Sequence, residues 1–506
     1  MIRFIDNQLN KITMYRLALY ILIFLLGAAL LISIFGTLPY SPWSLLISVG
    51  FILGVSWATN RVFARTFGVP ANVESVYISS LILALIITPI RSAGDLWFLG
   101  WAAVLAMASK YVLAPGGKHI FNPAAFAVAV TYLTINQTAS WWVGSGPMLP
   151  YVLPAGLLLV RKLGRFDLVL SFLATALGIT VLVGVYNGTN LISTLQKMLV
   201  YSPLLFFSFV ILTEPLTTPP TRRSRILYGG IVGLLFAPQL HVGSVFLTPE
   251  LAILIGNLYS FIVSPKSRML LRLKERTRLS PDTYEFVFAA PSGLNFRPGQ
   301  YMEWTLDHAH ADDRGNRRYF TLASSPTEHN IRVAVKFNKE SSTYKKAMLG
   351  WSRDTTILAS QLAGEFTLPD DPQQKCILIA GGIGVTPFRS MIKYLLDRRE
   401  RRPITLFYTA HTADEFLYRD VFDRARQELG IQTIYTLTDN RNVPSNWNGK
   451  VGRITPELIR SVVPDYRDAV FYVSGPRGLV DSFKDSIQRL GPNIPEIRTD
   501  YFAGLA

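Results

Sequence analysis

The distribution of apolar residues limits what this chain can fold into more than any other feature of its sequence. Up to residue 265 the sequence contains ten apolar runs, whereas the rest shows the shorter patterns of a water-soluble protein. Hydrophobic residues make up 50% of the chain and the mean hydropathy is +0.28, which is high for a purely soluble enzyme. We therefore expect the first part to lie in a lipid bilayer and the second part in water.

Each apolar run is a candidate transmembrane helix. The first follows Arg3, Lys11 and Arg16 and is too long for the apolar region of a signal peptide, so we expect a retained helix. Several others are shorter than the roughly 20 residues that a straight membrane-spanning helix needs. The predicted spans are residues 15–35, 43–59, 75–90, 96–114, 121–135, 146–160, 167–186, 198–212, 226–238 and 245–263.

The charges of the connecting loops predict an orientation, because cytoplasmic loops carry an excess of Lys and Arg. With the N-terminus inside, only Arg91 and Lys197 fall in outside loops, and an even number of spans returns the chain to the cytoplasm at Lys266. The prediction is a multi-pass protein of a bacterial cytoplasmic (inner) membrane with both termini cytoplasmic.

Charge and cysteine content exclude some classes of protein. The net charge is +16, but no basic helix and no basic patch interleaved with aromatic residues is present. This predicts no nucleic-acid partner and fits loops that face an anionic leaflet. The single cysteine, Cys376, excludes an intramolecular disulfide and a four-thiolate cluster, so we expect no iron–sulfur cluster.

Three stretches of the first part are too polar for helices that face only lipid, namely residues 68–75, 116–124 and 212–219. A carboxylate inside a membrane is costly unless it is paired or faces a cavity. Asn122 and Glu214 are each followed by proline, as in the broken helices that line midplane sites. We predict a cofactor site, with helix capping at the interface as the open alternative, formed by Asn72, Glu74, Asn122 and Glu214.

The same stretches resemble the ten-helix membrane flavoprotein components of the sodium-pumping NADH:quinone oxidoreductase and of the Rnf complex. The resemblance spans most of residues 1–265 and is clearest at 72–89, 119–125 and 213–225. That family attaches FMN to the threonine of a Ser-Gly-Ala-Thr sequence, which this chain lacks; its nearest fragment is Ser145-Gly146-Pro147-Met148. The resemblance therefore implies a second, non-covalent flavin, either FMN or riboflavin.

A haem-containing membrane reductase is the rival design for such a chain. Two stacked haems need four axial histidines, and the first 265 residues contain only His119 and His241. We expect these two to have packing or interfacial roles. The other histidines show no metal-ligand spacing, so no metal site is predicted.

The most informative stretch of the second part is Arg318-Tyr319-Phe320-Thr321-Leu322-Ala323-Ser324. On a strand, Arg318 and Phe320 point to the same face because side chains alternate. A guanidinium and an aromatic ring on one face, with the Thr321 hydroxyl beside them, suit the phosphate, the ring and the N5 edge of a flavin.

This stretch resembles the Arg-x-Tyr-Ser flavin motif of the ferredoxin-NADP+ reductase-like flavoproteins. The resemblance covers about residues 267–506, with further ordered matches at 296–301, 379–387, 472–476 and 500–502. It implies that Thr321 tunes the flavin N5 and that Phe502 shields the ring until nicotinamide displaces it. It also implies FAD binding by Arg318, Phe320, Thr321, Ser324, Ser342 and Thr343.

A glycine-rich turn at residues 381–386 lies between a predicted strand and a predicted helix. Glycines there let the backbone approach a pyrophosphate, whose charge the helix N-terminus stabilises. The turn predicts NADH or NADPH as cosubstrate, and the absence of arginine at 410–412 favours NADH. The predicted binding residues are Gly381, Gly382, Gly384, Thr386, Gly475 and Pro476.

Strand and helix patterns complete the expected architecture. Short β-rich segments after Met269 indicate a small antiparallel barrel, and strands alternate with helices after Pro372, as in a parallel sheet with crossover helices. We predict a multidomain chain: a polytopic α-helical membrane domain (1–265), an antiparallel β-barrel flavin domain (266–371) and a doubly wound α/β nucleotide-binding domain (372–506).

These features predict a membrane-bound, flavin-dependent oxidoreductase. It would take hydride from cytoplasmic NAD(P)H onto FAD and pass electrons into or across the membrane to a quinone or an extracytoplasmic acceptor, with partner redox subunits as further candidates. One alternative is redox-driven translocation of Na+ or H+ with Glu74 and Glu214. Another is a membrane domain that only anchors a soluble-type reductase or carries a small molecule.

Overall fold

The computed structural model describes residues 2–10, 12–68, 73–115, 119–236, 241–242, 245–264, 269–290, 294–306, 308, 312, 316–338, 341–488 and 496–502. The chain forms two compact units, Met1–Arg268 and Met269–Ala506. The predicted boundary at residue 371, within the second unit, stays a prediction.

The first unit is helical. Short 3-10 turns lie at Trp142–Gly144 and Gly146–Met148, and two short strands, β1 (His241–Val242) and β2 (Val245–Phe246), precede the last helix. Its described helices are α1 (Ile2–Asn10), α2 (Met14–Ile34), α3 (Pro42–Phe67), α4 (Val73–Ile86), α5 (Asp95–Val112), α6 (Pro123–Ile135), α7 (Leu149–Leu163), α8 (Phe166–Tyr186), α9 (Leu191–Val200), α10 (Leu204–Phe206, continuing as a π-helix over Phe207–Ile211), α11 (Arg222–Leu235) and α12 (Pro249–Val263).

A described helix overlaps each of the ten predicted spans, but the helices differ in length. Among the described residues, α2, α3 and α8 are long and apolar enough to cross a membrane. Helix α9 and the segment Leu204–Ile211 are bent by 55° and would together make a fourth, broken span. Because α4, α6 and α12 are shorter apolar helices, the number of ten spans stays a prediction.

Close helix contacts and caps fix the inner part of this unit. A Cβ atom on Gly233 of α11 would lie 2.6 Å from the backbone oxygen of Phe172 in α8, so these helices approach as only small residues allow. Helix α6 begins at Pro123 because proline suits a first helical position and Asn122 caps the helix, its Oδ1 accepting from Ala125 N–H at 3.0 Å. The cap fixes where the Asn122 side chain lies.

The second unit begins with an antiparallel sheet. Its strands are β3 (Met269–Ser280), β4 (Thr283–Ala289), β5 (Tyr301–Thr305), β6 (Arg317–Thr321), β7 (Asn330–Lys336) and β8 (Thr356–Ala363), with α13 (Thr343–Leu349) before β8. Their order is β6-β5-β8-β3-β4-β7, and buried Phe286, Phe288 and Trp304 contribute to the core. One backbone hydrogen bond, from Ala323 N–H to Arg332 O at 2.8 Å, links the two edges. Closure into a barrel stays a prediction.

A six-stranded parallel sheet follows, in the order β12-β11-β10-β9-β13-β14. Helices α14 and α15 pack on one face and α16 and α17 on the other, so this part is doubly wound as the alternating pattern predicted. The elements in chain order are β9 (Cys376–Gly381), α14 (Thr386–Arg398), β10 (Ile404–Ala410), α15 (Arg419–Leu429), β11 (Gln432–Leu437), β12 (Lys450–Val451), α16 (Pro456–Val462), β13 (Val470–Pro476), α17 (Arg477–Gln488) and β14 (Ile497–Phe502).

Candidate active site and membrane cavity

The first group of candidate residues lies on strand β6. Arg318 is only 6% exposed, and its guanidinium carbon lies 5.0 Å from the centre of the Tyr344 ring. Its Nη1 donates to Arg317 O at 2.7 Å, and its Nη2 is 4.0 Å from the Asp312 carboxylate. Tyr344 is itself buried and donates to Trp304 O at 3.2 Å. The Tyr344 ring therefore packs against the positive charge of Arg318 in a mostly buried position.

Phe320 also lies near Tyr344, on the same face of the strand as Arg318, as the alternation of strand side chains predicted. Its ring centre is 6.2 Å from that of Tyr344 and 6.4 Å from that of Trp304. Thr321 ends the strand, is buried, and donates a hydrogen bond from its hydroxyl to the Asp500 carboxylate of β14. The strand thus presents a guanidinium, a ring and a hydroxyl in sequence.

The predicted pyrophosphate residues Ser342 and Thr343 already have protein partners. Ser342 caps α13 by accepting from Lys345 N–H at 3.4 Å. Thr343 N–H donates to the Asp312 carboxylate at 3.0 Å, and the Thr343 hydroxyl accepts from Asp312 N–H at 3.0 Å. A carboxylate therefore occupies the helix start where the sequence predicted a phosphate, and the binding role of this pair stays a prediction.

The glycine-rich turn joins β9 to α14 and lies directly against β13. A Cβ atom on Gly384 would lie 2.3 Å from Ser474 O and 2.5 Å from Gly475 Cα. Gly382 has a φ of +52°, which favours glycine. Thr386 is buried and donates from its hydroxyl to Ile383 O at 3.2 Å. Glycine is therefore required for this turn to approach the neighbouring strand.

The end of β13 carries the other predicted nicotinamide residues. Gly475 and Pro476 follow Ser474, which is fully buried and whose hydroxyl has no hydrogen-bond partner among the described residues. Pro476 pairs with Phe502 at the end of β14. The Phe502 side chain lies outside the part of the chain that the structure describes, so its shielding role stays a prediction.

Helix α14 connects the glycine-rich turn to the flavin-motif strand. Arg389 Nη1 donates to Ala323 O at 2.9 Å, and Ser390 Oγ donates to Ser324 O at 2.6 Å. Arg389 also forms a two-pronged ion pair with Glu328. Although burial acts to raise the pKa of Glu328, the hydrogen bond and charge of Arg389 lower it. No local pattern indicated this ion pair, which joins residues 61 positions apart.

Asp500, which accepts the hydrogen bond of Thr321, makes the stability of this region depend on pH. Burial raises the pKa of Asp500 to about 6, against the opposing effect of the Thr321 hydrogen bond. This pKa lies above the ordinary value of 3.8, so the folded state favours the protonated form of Asp500. The contribution of Asp500 to the stability of the folded state is therefore complete below about pH 4 and is lost as the pH rises through about 6. We expect Asp500→Asn, which cannot ionise, to raise the unfolding temperature at about pH 8 and to change it little at about pH 4.

Thermal unfolding of the full chain, followed by the release of bound flavin, checks this expectation. Asp414→Asn is a matched control because Asp414 is exposed. A stabilisation by Asp500→Asn that is equal at both pH values would contradict the assignment of the pKa to Asp500.

In the first unit the structure brings Asn122 and Glu214 together. Asn122 Nδ2 donates to Glu214 Oε2 at 2.8 Å, and Thr217 Oγ1 donates to the same oxygen at 3.0 Å. His119 Nε2 lies 3.6 Å from Glu214 Oε1. Asn122 N–H donates to Asn257 Oδ1 at 2.8 Å, which ties the group to α12. The sequence analysis singled out the polar stretches 116–124 and 212–219, which contain His119 and Thr217, but it named neither as a site residue and expected a packing or interfacial role for His119. It did not indicate Asn257.

Of these residues, Asn122 and Glu214 line a cavity of about 60 Å³. Its lining is largely apolar, and within the described lining Glu214 is the one carboxyl side chain. Glu74 is not part of the lining; it lies 3.9 Å from Arg16, while its neighbour Ser75 lines the cavity. Asn72, the fourth predicted residue, lies outside the described residues. The lining residues that contact Glu214 or lie nearest to it in sequence are Asn122, Thr213, Pro215 and Leu216.

No group of three or more His, Cys, Asp or Glu side chains is placed to hold a metal ion within the described ranges.

Two family models match separate parts of the chain. Residues 378–485 match the oxidoreductase NAD-binding domain, and residues 143–265 match the NQR2, RnfD, RnfE family. The first match contains most of the parallel sheet with its glycine-rich turn. The second contains Glu214.

Individual relatives match a little under half of the chain. The glycine betaine monooxygenase reductase subunit of Pseudomonas aeruginosa is 23% identical over 256 residues, covering 46% of this chain and 67% of the relative. NADH-cytochrome b5 reductase 1 of Ajellomyces capsulatus is 25% identical over 241 residues, covering 46% and 76%. The crystal structure of the flavohem-like FAD/NAD-binding domain of a Vibrio cholerae nitric oxide dioxygenase is 18% identical, with a TM-score of 0.41 over 46% of this chain and 98% of that one.

The sheet, its glycine-rich turn, the NAD-binding domain match and the two reductase relatives define the class of the protein as an NAD(P)H-dependent flavoprotein oxidoreductase. The chain joins this oxidoreductase part to a helical part in which residues 143–265 match the NQR2, RnfD, RnfE family, and it is an integral membrane protein.

Proposed function

We propose that this protein oxidises cytoplasmic NAD(P)H at an FAD in its second unit and passes the electrons into its membrane unit. From there they would reach a quinone or an extracytoplasmic acceptor. The observation that carries the proposal is the pair of contacts from Arg389 to Ala323 and from Ser390 to Ser324. They hold the helix that follows the nicotinamide turn against the segment that follows the flavin strand.

The residues of the second unit fit the two ligands. Arg318 offers a mostly buried positive charge for a phosphate, and Phe320 and Tyr344 offer an aromatic surface for a ring. Gly384 lets the glycine-rich turn lie against the backbone of β13, and the buried Ser474 hydroxyl beside it lacks a hydrogen-bond partner among the described residues. FAD, when bound, accepts a hydride from nicotinamide and can release electrons singly.

The residues of this chain would position the flavin and the nicotinamide for hydride transfer and would not transfer protons to nicotinamide. Thr321, oriented by Asp500, would place its hydroxyl at the N5 edge of the flavin. Phe502, at the end of β14, would cover the ring until nicotinamide arrives. Hydride transfer needs no general base, and we assign none.

The membrane unit would hold the next redox centre. The apolar core of a bilayer is about 30 Å thick, which is too far for one direct electron transfer. Asn122 and Glu214 border a cavity and are the leading candidates for its site, with Asn72 and Glu74 as further candidates. A second, non-covalent flavin, FMN or riboflavin, would serve as the relay, and partner redox subunits would be further acceptors of the electrons.

The domain boundaries at 265/266 and 371/372 and the cytoplasmic placement of both termini in a bacterial inner membrane belong to this proposal. They put the FAD on the side of the membrane where NAD(P)H is available.

Anaerobic addition of NADH to the detergent-purified full chain tests the first step. We expect the visible absorbance of the flavin to bleach as soon as the two solutions are mixed. Acid denaturation then counts the flavin released per chain. One FAD or more per chain supports the proposal, whereas a flavin-free protein, or bound flavin that NADH and NADPH both fail to reduce, would refute it.

Redox-driven translocation of Na+ or H+ is the second candidate function. It is favoured by the Glu214 carboxylate in the membrane unit, which accepts hydrogen bonds from Asn122 and Thr217. NADH oxidation in sealed vesicles that depends on Na+, or that acidifies the lumen, would support it.

A further inference from the structure

The cavity beside Glu214 has a chemistry that narrows what it can bind. Its described lining contains a carboxylate, an amide and hydroxyls but no Lys or Arg. A phosphate would meet Glu214 without a compensating positive charge from this lining. Its volume of about 60 Å³ is smaller than the roughly 150 Å³ that holds a benzene ring, so the cavity suits the polar edge of a neutral ring, with its carbonyl or ring-nitrogen acceptors, rather than a whole ring.

Glu214 is held so that its two oxygens have different surroundings. Oε2 accepts from both Asn122 Nδ2 and Thr217 Oγ1, at 2.8 and 3.0 Å. Oε1 lies 3.6 Å from His119 Nε2, which is slightly longer than a hydrogen bond and within the range of an ion pair. His119 is 6% exposed and is not part of the cavity lining. The pair thus places an ionisable carboxyl at the cavity and an imidazole behind it.

We propose that Glu214 and His119 form a proton-delivery pair for a redox ring that gains protons when it is reduced. Glu214 is the catalytic residue, since it borders the cavity. His119 acts through Glu214 and is a positioning and proton-supplying residue. This inference rests on the proposed delivery of electrons into the membrane unit.

The step balances for a ring that takes two electrons. Two electrons that originate from NAD(P)H would be balanced by two protons, and the Glu214 carboxyl would donate the first of these protons to an acceptor atom of the ring. The Glu214 carboxylate regains a proton from the His119 imidazolium, and His119 regains one from water. A second turn of the same relay supplies the second proton. Flavins and quinones share this chemistry.

Other charged and titratable groups near Glu214 belong to the elements packed around it. Tyr228 of α11 interacts with the Glu214 charge and accepts a hydrogen bond from Asn257 Nδ2 at 2.9 Å. The remaining groups are Tyr15 of α2 in the lining, Arg16 of α2 beside Glu74, and Lys110 of α5, which donates to Ser75 O at 2.8 Å. Within the part of the chain that the structure describes, none of these groups forms an ion pair with Glu214, whereas His119 lies at ion-pair distance from it.

The first test uses the full chain in lipid nanodiscs with NADH and two electron acceptors. A short-chain benzoquinone requires protons on reduction, whereas ferricyanide takes single electrons without them. We expect His119→Gln to slow benzoquinone reduction about tenfold at neutral pH and to flatten its pH profile. Ferricyanide reduction is expected to stay within about twofold of wild type, because it needs no proton from this pair. His329→Gln, an exposed change in the second unit, is the control for histidine loss.

The second test observes the carboxyl groups directly and does not depend on the rate of turnover. Infrared difference spectra of wild type, recorded before and after anaerobic NADH addition, are expected to show a change in the carboxyl C=O region. We expect Glu214→Gln to abolish this change. Glu250→Gln is expected to retain it, because Glu250 is a buried carboxyl of the same unit that accepts a hydrogen bond from Trp141 instead, at 2.8 Å.

The outcomes separate this inference from the proposed function. A wild-type chain that reduces ferricyanide but neither benzoquinone nor a membrane flavin would refute electron delivery into the membrane unit. Normal benzoquinone reduction with no carboxyl signal, or an unchanged pH profile in His119→Gln, would refute the proton-delivery pair alone. A second flavin lost in Asn122→Leu would identify the ring as a flavin, and a single FAD in both proteins would identify it as a quinone.

Discussion

Replacing Arg318 by methionine is expected to leave the purified full chain with little or no bound FAD. Methionine keeps the packing against Tyr344, whose ring lies 5.0 Å from the guanidinium, but removes the charge. A charge-assisted hydrogen bond to a phosphate contributes about 2–3 kcal/mol, so the loss corresponds to a roughly 30- to 150-fold weaker FAD affinity. Fluorescence titration of the deflavinated protein with FAD measures the affinity.

Two further variants make the Arg318 result specific. Arg318→Lys keeps the charge and loses the planar fork, so we expect an intermediate affinity. Arg353→Met removes an exposed arginine of the same unit and is expected to bind FAD normally. Unchanged FAD binding by Arg318→Met would show that the phosphate lies elsewhere.

Gly384→Ala is expected to abolish efficient reduction by NADH while leaving the FAD content unchanged. The added Cβ would lie 2.3 Å from Ser474 O and 2.5 Å from Gly475 Cα, and these are backbone atoms that cannot rotate away. The glycine-rich turn must then shift, and a misplacement of about 1 Å can cost about 100-fold in rate. Stopped-flow measurement of flavin bleaching by NADH tests the expectation.

A matched control for Gly384→Ala is Gly478→Ala, because a Cβ there meets no atom within 4 Å. Reduction by dithionite, which needs no nicotinamide site, is expected to be normal in both variants. Normal NADH reduction in Gly384→Ala would contradict the placement of the nicotinamide at this turn.

Local sequence patterns predicted much of the second unit. The alternation of strand side chains predicted that Arg318 and Phe320 share a face, and both lie near Tyr344. The glycines of the 381–386 turn lie close to the backbone of β13, while their predicted approach to a pyrophosphate stays a prediction. These two features depend on residues that are close in the sequence, so the spacing of those residues predicts them. The doubly wound sheet was predictable for the same reason, because its strands and helices alternate in chain order.

Contacts between distant segments were not predictable in this way. The ion pair of Arg389 with Glu328 and the approach of His119 to Glu214 join positions far apart, and neither pair lies on a helix or strand period. Asp312, next to Thr343, was missed for the same reason. The number of membrane spans stays a prediction for a different reason: several apolar helices, such as α6, are too short for length and composition alone to identify a span.

The transfer of electrons from the FAD into the membrane unit is the central claim, and one comparison tests it most directly. The full chain, in liposomes that contain a long-chain quinone, receives NADH, and the rate of quinone reduction is compared with that of ferricyanide. Asn122→Leu removes the hydrogen bond to Glu214 and fills space beside the cavity. We predict that this variant reduces the quinone about tenfold more slowly than wild type, at an unchanged ferricyanide rate, because the site of the relay is disturbed. Equal quinone rates in the two proteins would contradict the claim, because electrons would then leave the FAD without passing through this site.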